Sequence, residues 1–148
     1  MTQETVPAMM APAEMIEMFS LKVSSDQPIE KIAQHVPAAC EQSKFALLQT
    51  YNYHEIVESK GFPIERKVFI YEVCQAKVAA MMLTSNPEFS IFMPCKIALY
   101  ERDGQTIIST MNMEIVLGAV QENEELYNNA TSLFSSLKSL MTSLAEIR

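Results

Sequence analysis

The chain has 148 residues, of which 49% are hydrophobic and 20% charged, which is enough for one domain with its own core. Its formal net charge is −7, from 18 acidic and 11 basic residues. Nucleic acids and anionic membranes are bound by clustered lysine and arginine, so this charge balance argues against both as partners. The sequence also contains no run of apolar residues long enough to predict a membrane span.

Residues 1–17 are predicted to form a flexible arm, and residues 18–148 a single folded domain. Pro7 and Pro12 interrupt the arm, which lacks the basic start and the continuous apolar segment of a secretory signal. The three cysteines show no Cys-x-x-Cys spacing. Unpaired cysteines of this kind are typical of free thiols in a reducing compartment, so we expect a cytoplasmic protein.

The first elements of the domain are a strand and a helix. Apolar and polar residues alternate over 19–25, which is the period of a half-buried strand. Ser25 and Asp26 followed by Pro28 are typical of a helix start. The apolar stripe of this helix is Ile29, Ile32, Ala33 and Val36. Pro37 should end or kink the helix, and residues 38–42 should continue it after the break.

The middle of the chain alternates strands with helices. Strands are predicted over 44–53 and 65–74, separated by a short helical segment over 54–61 that ends at Gly61. A helix rich in alanine, methionine and leucine follows over 75–87, and Asn86-Pro87 should stop it.

A β-hairpin is predicted around Asp103-Gly104, since this dipeptide tolerates the positive φ angles of a type I′ turn. Its strands are 95–102 and 105–113, which places Arg102 opposite Gln105 and Leu99 opposite Ile108. Strand alternation then divides the first strand into two faces. One face carries Cys95, Ile97 and Leu99, and the other carries Lys96, Ala98 and Tyr100.

The last predicted element is a long helix capped by Asn123, with Glu124 and Glu125 favouring its N-terminus. One face is a broad apolar stripe of Leu126, Ala130, Leu133, Phe134, Leu137, Leu140, Met141 and Leu144. The opposite face is small and uncharged, with Asn129, Thr131, Ser132, Ser135, Ser136, Ser139, Thr142 and Ser143. We expect this second face either to be covered, by the arm or by a partner subunit, or to be a plain exposed surface.

This order of strands and helices predicts an α+β fold with one sheet and helices on one face. One segment resembles the core of the domain of unknown function 302 family: YEVCQAKVAAMMLTSNPEFSIFMPCKIALYERDGQTII. The resemblance covers about residues 19–146 of the chain. The matching residues are Glu72, Cys74, Ala79, Pro87, Pro94, Cys95, Tyr100, Glu101 and Gly104. The resemblance implies a TATA-binding-protein-like fold: a single curved, mainly antiparallel sheet, helices on one face and a long C-terminal helix. It also implies a homodimer, and it implies no accepted activity.

Cys74 and Cys95 are the candidate site residues. Cys74 ends a strand at the start of the helix over 75–87, and Cys95 begins the next strand, so both should lie at one edge of the sheet. Glu72 shares a strand face with Cys74 and joins the candidate ligand-binding set. The first hypothesis is a site for a small ligand or cofactor at these thiols: a soft metal ion, a haem iron or a sulfur-containing group. Candidate metal ligands are Cys74, Cys95 and His54.

Two further hypotheses belong to other classes. The second is a non-catalytic dimeric binding or assembly module, with an apolar cavity between the sheet and the C-terminal helix that the cysteines line. The third is a thiol-dependent enzyme, which needs a base beside the nucleophile. Only His35 and His54 are available, so we do not favour an enzyme. Cys40 is expected to be a buried core residue.

Overall fold

The computed structural model describes residues 11–148 of the chain. Its five strands are β1 (Ser20–Ser25), β2 (Ala46–Asn52), β3 (Val68–Cys74), β4 (Cys95–Arg102) and β5 (Gln105–Met111). Its α-helices are α1 (Pro12–Phe19), α2 (Ile29–Gln42), α3 (Tyr53–Ser59), α4 (Ala76–Ser85), α5 (Glu114–Ala119) and α6 (Glu124–Ala145). A 3₁₀ helix, Pro87–Phe92, follows α4. Within the described residues, no helix combines the length and the apolar character needed to cross a membrane.

The five strands form one open sheet in the order β1-β5-β4-β3-β2, and every neighbouring pair is antiparallel. Helices α2 and α6 pack against one face of this sheet, and α4 packs against α6. The predicted α+β class, with an antiparallel sheet and a long C-terminal helix, is therefore confirmed.

The core lies between this face of the sheet and the helices. Inward-facing residues of the central strands meet the apolar stripes of α2 and α6, and many of these side chains are fully buried. The sheet contributes Tyr71, Val73, Ile97, Leu99 and Ile108, all 3% exposed or less. Lys96, Ala98 and Tyr100 occupy the alternate positions of β4, as strand alternation requires.

The β4–β5 hairpin has the predicted turn and register. Asp103 and Gly104 have φ angles of 53° and 78°, the left-handed conformation that a type I′ turn needs at both positions. Arg102 pairs with Gln105, and Leu99 pairs with Ile108. The turn chemistry alone was sufficient to fix this register.

Helix α6 begins where Asn123 was predicted to cap it. The Asn123 Oδ1 atom accepts a hydrogen bond from the Leu126 backbone N–H at 3.1 Å. Every residue of the predicted apolar stripe is buried. The small polar residues Ser132, Ser135, Ser139 and Thr142 on the opposite face are exposed in this single chain. Coverage of that face by a partner subunit stays a prediction.

The observed element bounds agree with the predictions in part. Helix α2 continues past Pro37 to Gln42, as expected for residues 38–42, with buried Val36 and Ala39 on either side of the proline. Strand β3 begins at Val68 and not at residue 65, and neither α5 nor the 3₁₀ helix was predicted.

The N-terminal arm, predicted over 1–17, lies partly outside the described residues, which begin at residue 11. Its described part is not extended: Pro12–Phe19 forms α1, with proline at the first helical position and no buried residue. The boundary expected between an arm and a domain at residues 17 and 18 stays a prediction.

The Asn123 cap can be tested with two asparagine-to-alanine substitutions in the same helix. Asn123→Ala should lower the free energy of unfolding by about 0.5–2 kcal/mol, because the Leu126 N–H loses its acceptor. Asn128→Ala, at an exposed interior position, should be neutral or stabilise by a few tenths of a kcal/mol through helix propensity. Chemical denaturation measures both, and equal effects of the two substitutions would contradict the assigned cap.

Candidate functional site

A cavity of about 400 Å³ lies at the end of the sheet where β3 finishes and β4 begins. The segment that joins these strands, α4 followed by the 3₁₀ helix, forms most of its wall. Fifteen residues line it: Leu48, Val73, Cys74, Gln75, Val78, Ala79, Met82, Leu83, Ser90, Phe92, Met93, Pro94, Cys95, Met113 and Leu133. None is charged, so the cavity offers an apolar surface with very few polar groups.

Local sequence explains how the wall is built. On α4, Val78 and Met82 are buried one turn apart, while Ala79 and Leu83 continue the same helix face into the cavity. Asn86 ends α4 and starts the 3₁₀ helix, because its side chain accepts a hydrogen bond from the Glu88 N–H at 2.9 Å. The chain then returns to the sheet through Met93 and Pro94, and both line the cavity.

Cys74 and Cys95 both line this cavity. Cys95 pairs with Val73 across β3 and β4, so its side chain shares the helix-covered face of the sheet with Val73. Cys74 occupies the next position on β3, which alternation alone would direct to the other face. It still reaches the cavity, because it is the last residue of β3, where the chain turns over the sheet end into α4.

The Cys95 thiol is held in its neutral form. Burial raises its pKa to about 11, with a smaller contribution from the neighbouring Cys74, and Lys96 only partly opposes this rise. At pH 7 the thiolate of Cys95 is therefore a minor form. Burial also raises the pKa of Cys40, which lies in the core as expected.

The structure does not bring Glu72 or His54 to this cavity. Glu72 projects from the opposite face of β3, where its carboxylate accepts a hydrogen bond from the Tyr51 hydroxyl at 3.2 Å. The His54 Nδ1 atom accepts a hydrogen bond from the Val68 N–H at 3.0 Å, and its ring packs edge-on against Phe69. Val68 and Cys74 are the two ends of β3, about 20 Å apart along an extended strand.

His54 therefore cannot complete a metal site with Cys74 and Cys95, because it is fixed at the far end of their strand. Across residues 11–148, no group of three or more histidine, cysteine, aspartate or glutamate side chains is placed to hold a metal ion. Such a site would need the thioether sulfurs of the cavity, which belong to Met82, Met93 and Met113.

Most of the apolar cavity wall was not predicted from the sequence. An apolar cavity was expected between the sheet and the C-terminal helix, whereas α6 contributes only Leu133 among the described lining residues. The available signal was an excess of apolar residues between the two cysteines. A helix that packs on the core with one face needs apolar residues only on that face. Leu83, Ile91 and Phe92 exceed this need, and their side chains are 39%, 80% and 39% exposed in the structure.

An open five-stranded antiparallel sheet with helices on one face and a long C-terminal helix defines an α+β protein. The family model for the domain of unknown function DUF302 matches residues 21–144, and the chain belongs to this family. No curated protein matches it.

A solved structure supports the fold. The chain is similar to an uncharacterized conserved DUF302 protein from Bacillus stearothermophilus, known from a crystal structure, with a TM-score of 0.68 and 21% sequence identity. The similarity covers 87% of this chain and 97% of that one. At this identity the likeness concerns the fold alone. The homodimer and the cytoplasmic location expected from the sequence stay predictions.

The protonation state of Cys95 can be measured by alkylation of the intact chain, followed by peptide mass mapping. Its alkylation rate should rise about tenfold per pH unit between about pH 7 and about pH 10, because the thiolate is the reactive form and remains a minor species. The urea-unfolded chain is the control, in which the same rate should level off near the ordinary thiol pKa. A plateau below about pH 9 in the folded protein would contradict the assignment.

Proposed function

We propose that this protein binds a small apolar molecule in the cavity beside Cys74 and Cys95. The observation that carries the proposal is the cavity itself, which has a volume of about 400 Å³ and is lined, within residues 11–148, by uncharged residues. Ligand sites are generally concave, mostly apolar and of this size, with a few polar groups that fix orientation. Gln75, Ser90 and the two thiols are the polar groups available here.

Access to the cavity supports the proposal. Leu48, Leu83 and Phe92 line the cavity and are 54%, 39% and 39% exposed. Groups of large exposed apolar side chains are uncommon on ordinary protein surfaces and often mark binding sites. An apolar molecule entering between them would remove their surface from water, which contributes about 25 cal/mol per Å².

The chemistry of the thiols favours binding over catalysis. A cysteine nucleophile reacts as the thiolate and is usually activated by an adjacent base. Burial keeps Cys95 protonated, and the cavity's described lining residues include no histidine and no carboxylate. In this proposal Cys74 and Cys95 contact the ligand as small, polarizable side chains.

A soft metal ion is the second candidate, because five of the lining residues carry sulfur: Cys74, Met82, Met93, Cys95 and Met113. Thiolate and thioether ligands select Cu(I) among the common metals. Binding would have to displace the thiol proton, and the raised pKa of Cys95 makes this more costly. The same cost applies to a haem iron held through a cysteine thiolate.

Native mass spectrometry of the protein as purified separates the two candidates, because a bound organic molecule and a bound copper ion add different masses. We expect an organic adduct that is lost when Ala79 is replaced by tryptophan. An adduct with the mass and isotope pattern of copper would instead support the second candidate.

The cavity can also be tested with the neutral fluorophore 1-aminoanthracene, whose emission increases in apolar surroundings. Ala79→Trp places an indole ring in the cavity and should weaken probe binding about tenfold or more, because the ring and the probe compete for the same volume. Ala80→Trp, at an exposed position of α4 that does not line this cavity, is the matched control and should bind like the parent.

Circular dichroism should confirm that both tryptophan variants fold. Ala79→Leu, a smaller insertion at the same position, should give an intermediate loss and guards against misfolding of the tryptophan variant. Equal probe binding by the parent and both Ala79 variants would show that the probe binds elsewhere.

A further inference from the structure

Cys74 and Cys95 lie on adjacent, paired strands. Val73 is opposite Cys95 in the β3–β4 register, and Cys74 is the residue that follows Val73. Antiparallel partners have Cα atoms about 4.5–5.5 Å apart, and each residue of a strand advances by about 3.4 Å. The Cα atoms of the two cysteines are therefore about 6 Å apart, within the range of about 4.4–6.8 Å that a disulfide bond spans.

The directions of the two side chains also matter for such a bond. Residues at diagonal positions of a regular sheet point to opposite faces, and side chains that diverge cannot be bridged. Cys74 departs from this rule because it is the last residue of β3, where the chain turns into α4, and both cysteines line the same cavity. The pKa of Cys95, which burial raises most, is raised further by the nearby Cys74 thiol.

Both cysteines are free thiols, and each is only partly buried, so a small reagent can reach them. Cys40, the third cysteine, is 1% exposed and lies in the core. Thiol–disulfide exchange needs no base held beside the sulfur, because solvent takes the thiol proton. It is therefore compatible with a cavity whose described lining residues include no histidine and no carboxylate.

We propose that Cys74 and Cys95 are a redox-active pair that forms a reversible disulfide bond, with a low-molecular-weight disulfide such as glutathione disulfide as the oxidant. The inference needs only the two thiols and is independent of any ligand in the cavity. The bond would join the end of β3 to the start of β4, and so link the two ends of the connection over residues 75–94.

The exchange takes two steps. In the first, the thiolate of one cysteine attacks a sulfur of glutathione disulfide, so that a protein–glutathione S–S bond forms and one glutathione leaves as its thiolate. In the second, the other cysteine loses its proton to solvent and attacks the protein sulfur of this mixed disulfide, which releases the second glutathione. The two protein thiols lose two electrons and two protons, and one glutathione disulfide is reduced to two thiols.

The second step occurs within the chain, and this favours it. Groups held next to each other react at a high effective concentration, because no translational freedom is lost in bringing them together. The raised pKa of Cys95 slows its attack at neutral pH but leaves the position of the equilibrium to the geometry of the pair. The test is therefore an equilibrium measurement.

Equilibration of the intact chain with mixtures of reduced and oxidised glutathione, followed by acid quenching, alkylation and peptide mass mapping, tests the proposal. We expect a monomer that has lost two hydrogen atoms, with a linked peptide pair containing Cys74 and Cys95 and with Cys40 still reduced. Cys40→Ala, which leaves only the two thiols of the proposed pair, should form the same bond.

The contribution of the fold is measured with Cys40→Ala in its folded and urea-unfolded states. Half of the folded chain should be oxidised at a ratio of [GSH]²/[GSSG] at least about tenfold higher than the unfolded chain requires, because strand pairing holds the thiols together. Cys74→Ser and Cys95→Ser should each stop at a free thiol or a glutathione mixed disulfide. Circular dichroism checks that the variants fold, and the mapping of the parent chain stands without them.

Three outcomes would overturn the proposal: no linked peptide from the folded chain, a bond that involves Cys40 or joins two chains, or equal ratios for the folded and unfolded states. None of these would affect the binding of 1-aminoanthracene by the reduced chain, so failure of the disulfide and failure of the proposed function are distinguishable.

Discussion

The pairing of β3 with β4 is the constraint on which the candidate site depends. The two strands are antiparallel neighbours, with Val73 opposite Cys95, yet they are not joined by a tight turn. Residues 75–94 must leave the end of β3 and return to the adjacent start of β4, and they do so as α4 and the 3₁₀ helix. This connection covers the end of the sheet, and the cavity lies between the connection and the ends of the two strands.

This geometry explains why the site combines thiols with an apolar wall. Cys74 ends β3 and Cys95 begins β4, so the two thiols lie at the two ends of the connection. The apolar residues of α4 line the same cavity. Protein interiors are normally close-packed, and the core formed by α2, α6 and the central strands follows that rule. The space beside Cys95 departs from it, and the same burial that makes the wall apolar keeps the Cys95 thiol neutral. Packing and chemistry therefore both favour an uncharged group in this cavity.

The fold was more predictable than the site. Asp103-Gly104 determined the hairpin and its register, and the apolar spacing of α6 identified all the residues that it buries, since both signals depend on neighbours in the sequence. The position of Cys74 and Cys95 at one common place could also be predicted from the sequence, because each cysteine adjoins one end of the same connection. The structure does not group Glu72 and His54 with them. Cys74 ends β3 and turns into the cavity, away from the face that it would share with Glu72, and the length of β3 separates His54.

The sequence by itself determined the class of fold, the hairpin, the long capped helix and the two cysteines at the ends of one connection, because these follow from local backbone preference and periodicity. Only the tertiary structure decided that α4 and the 3₁₀ helix cover the end of the sheet and that a cavity lies between them and the two cysteines. These features depend on which surfaces meet when the sheet and helices pack, and residues distant in the chain supply those surfaces.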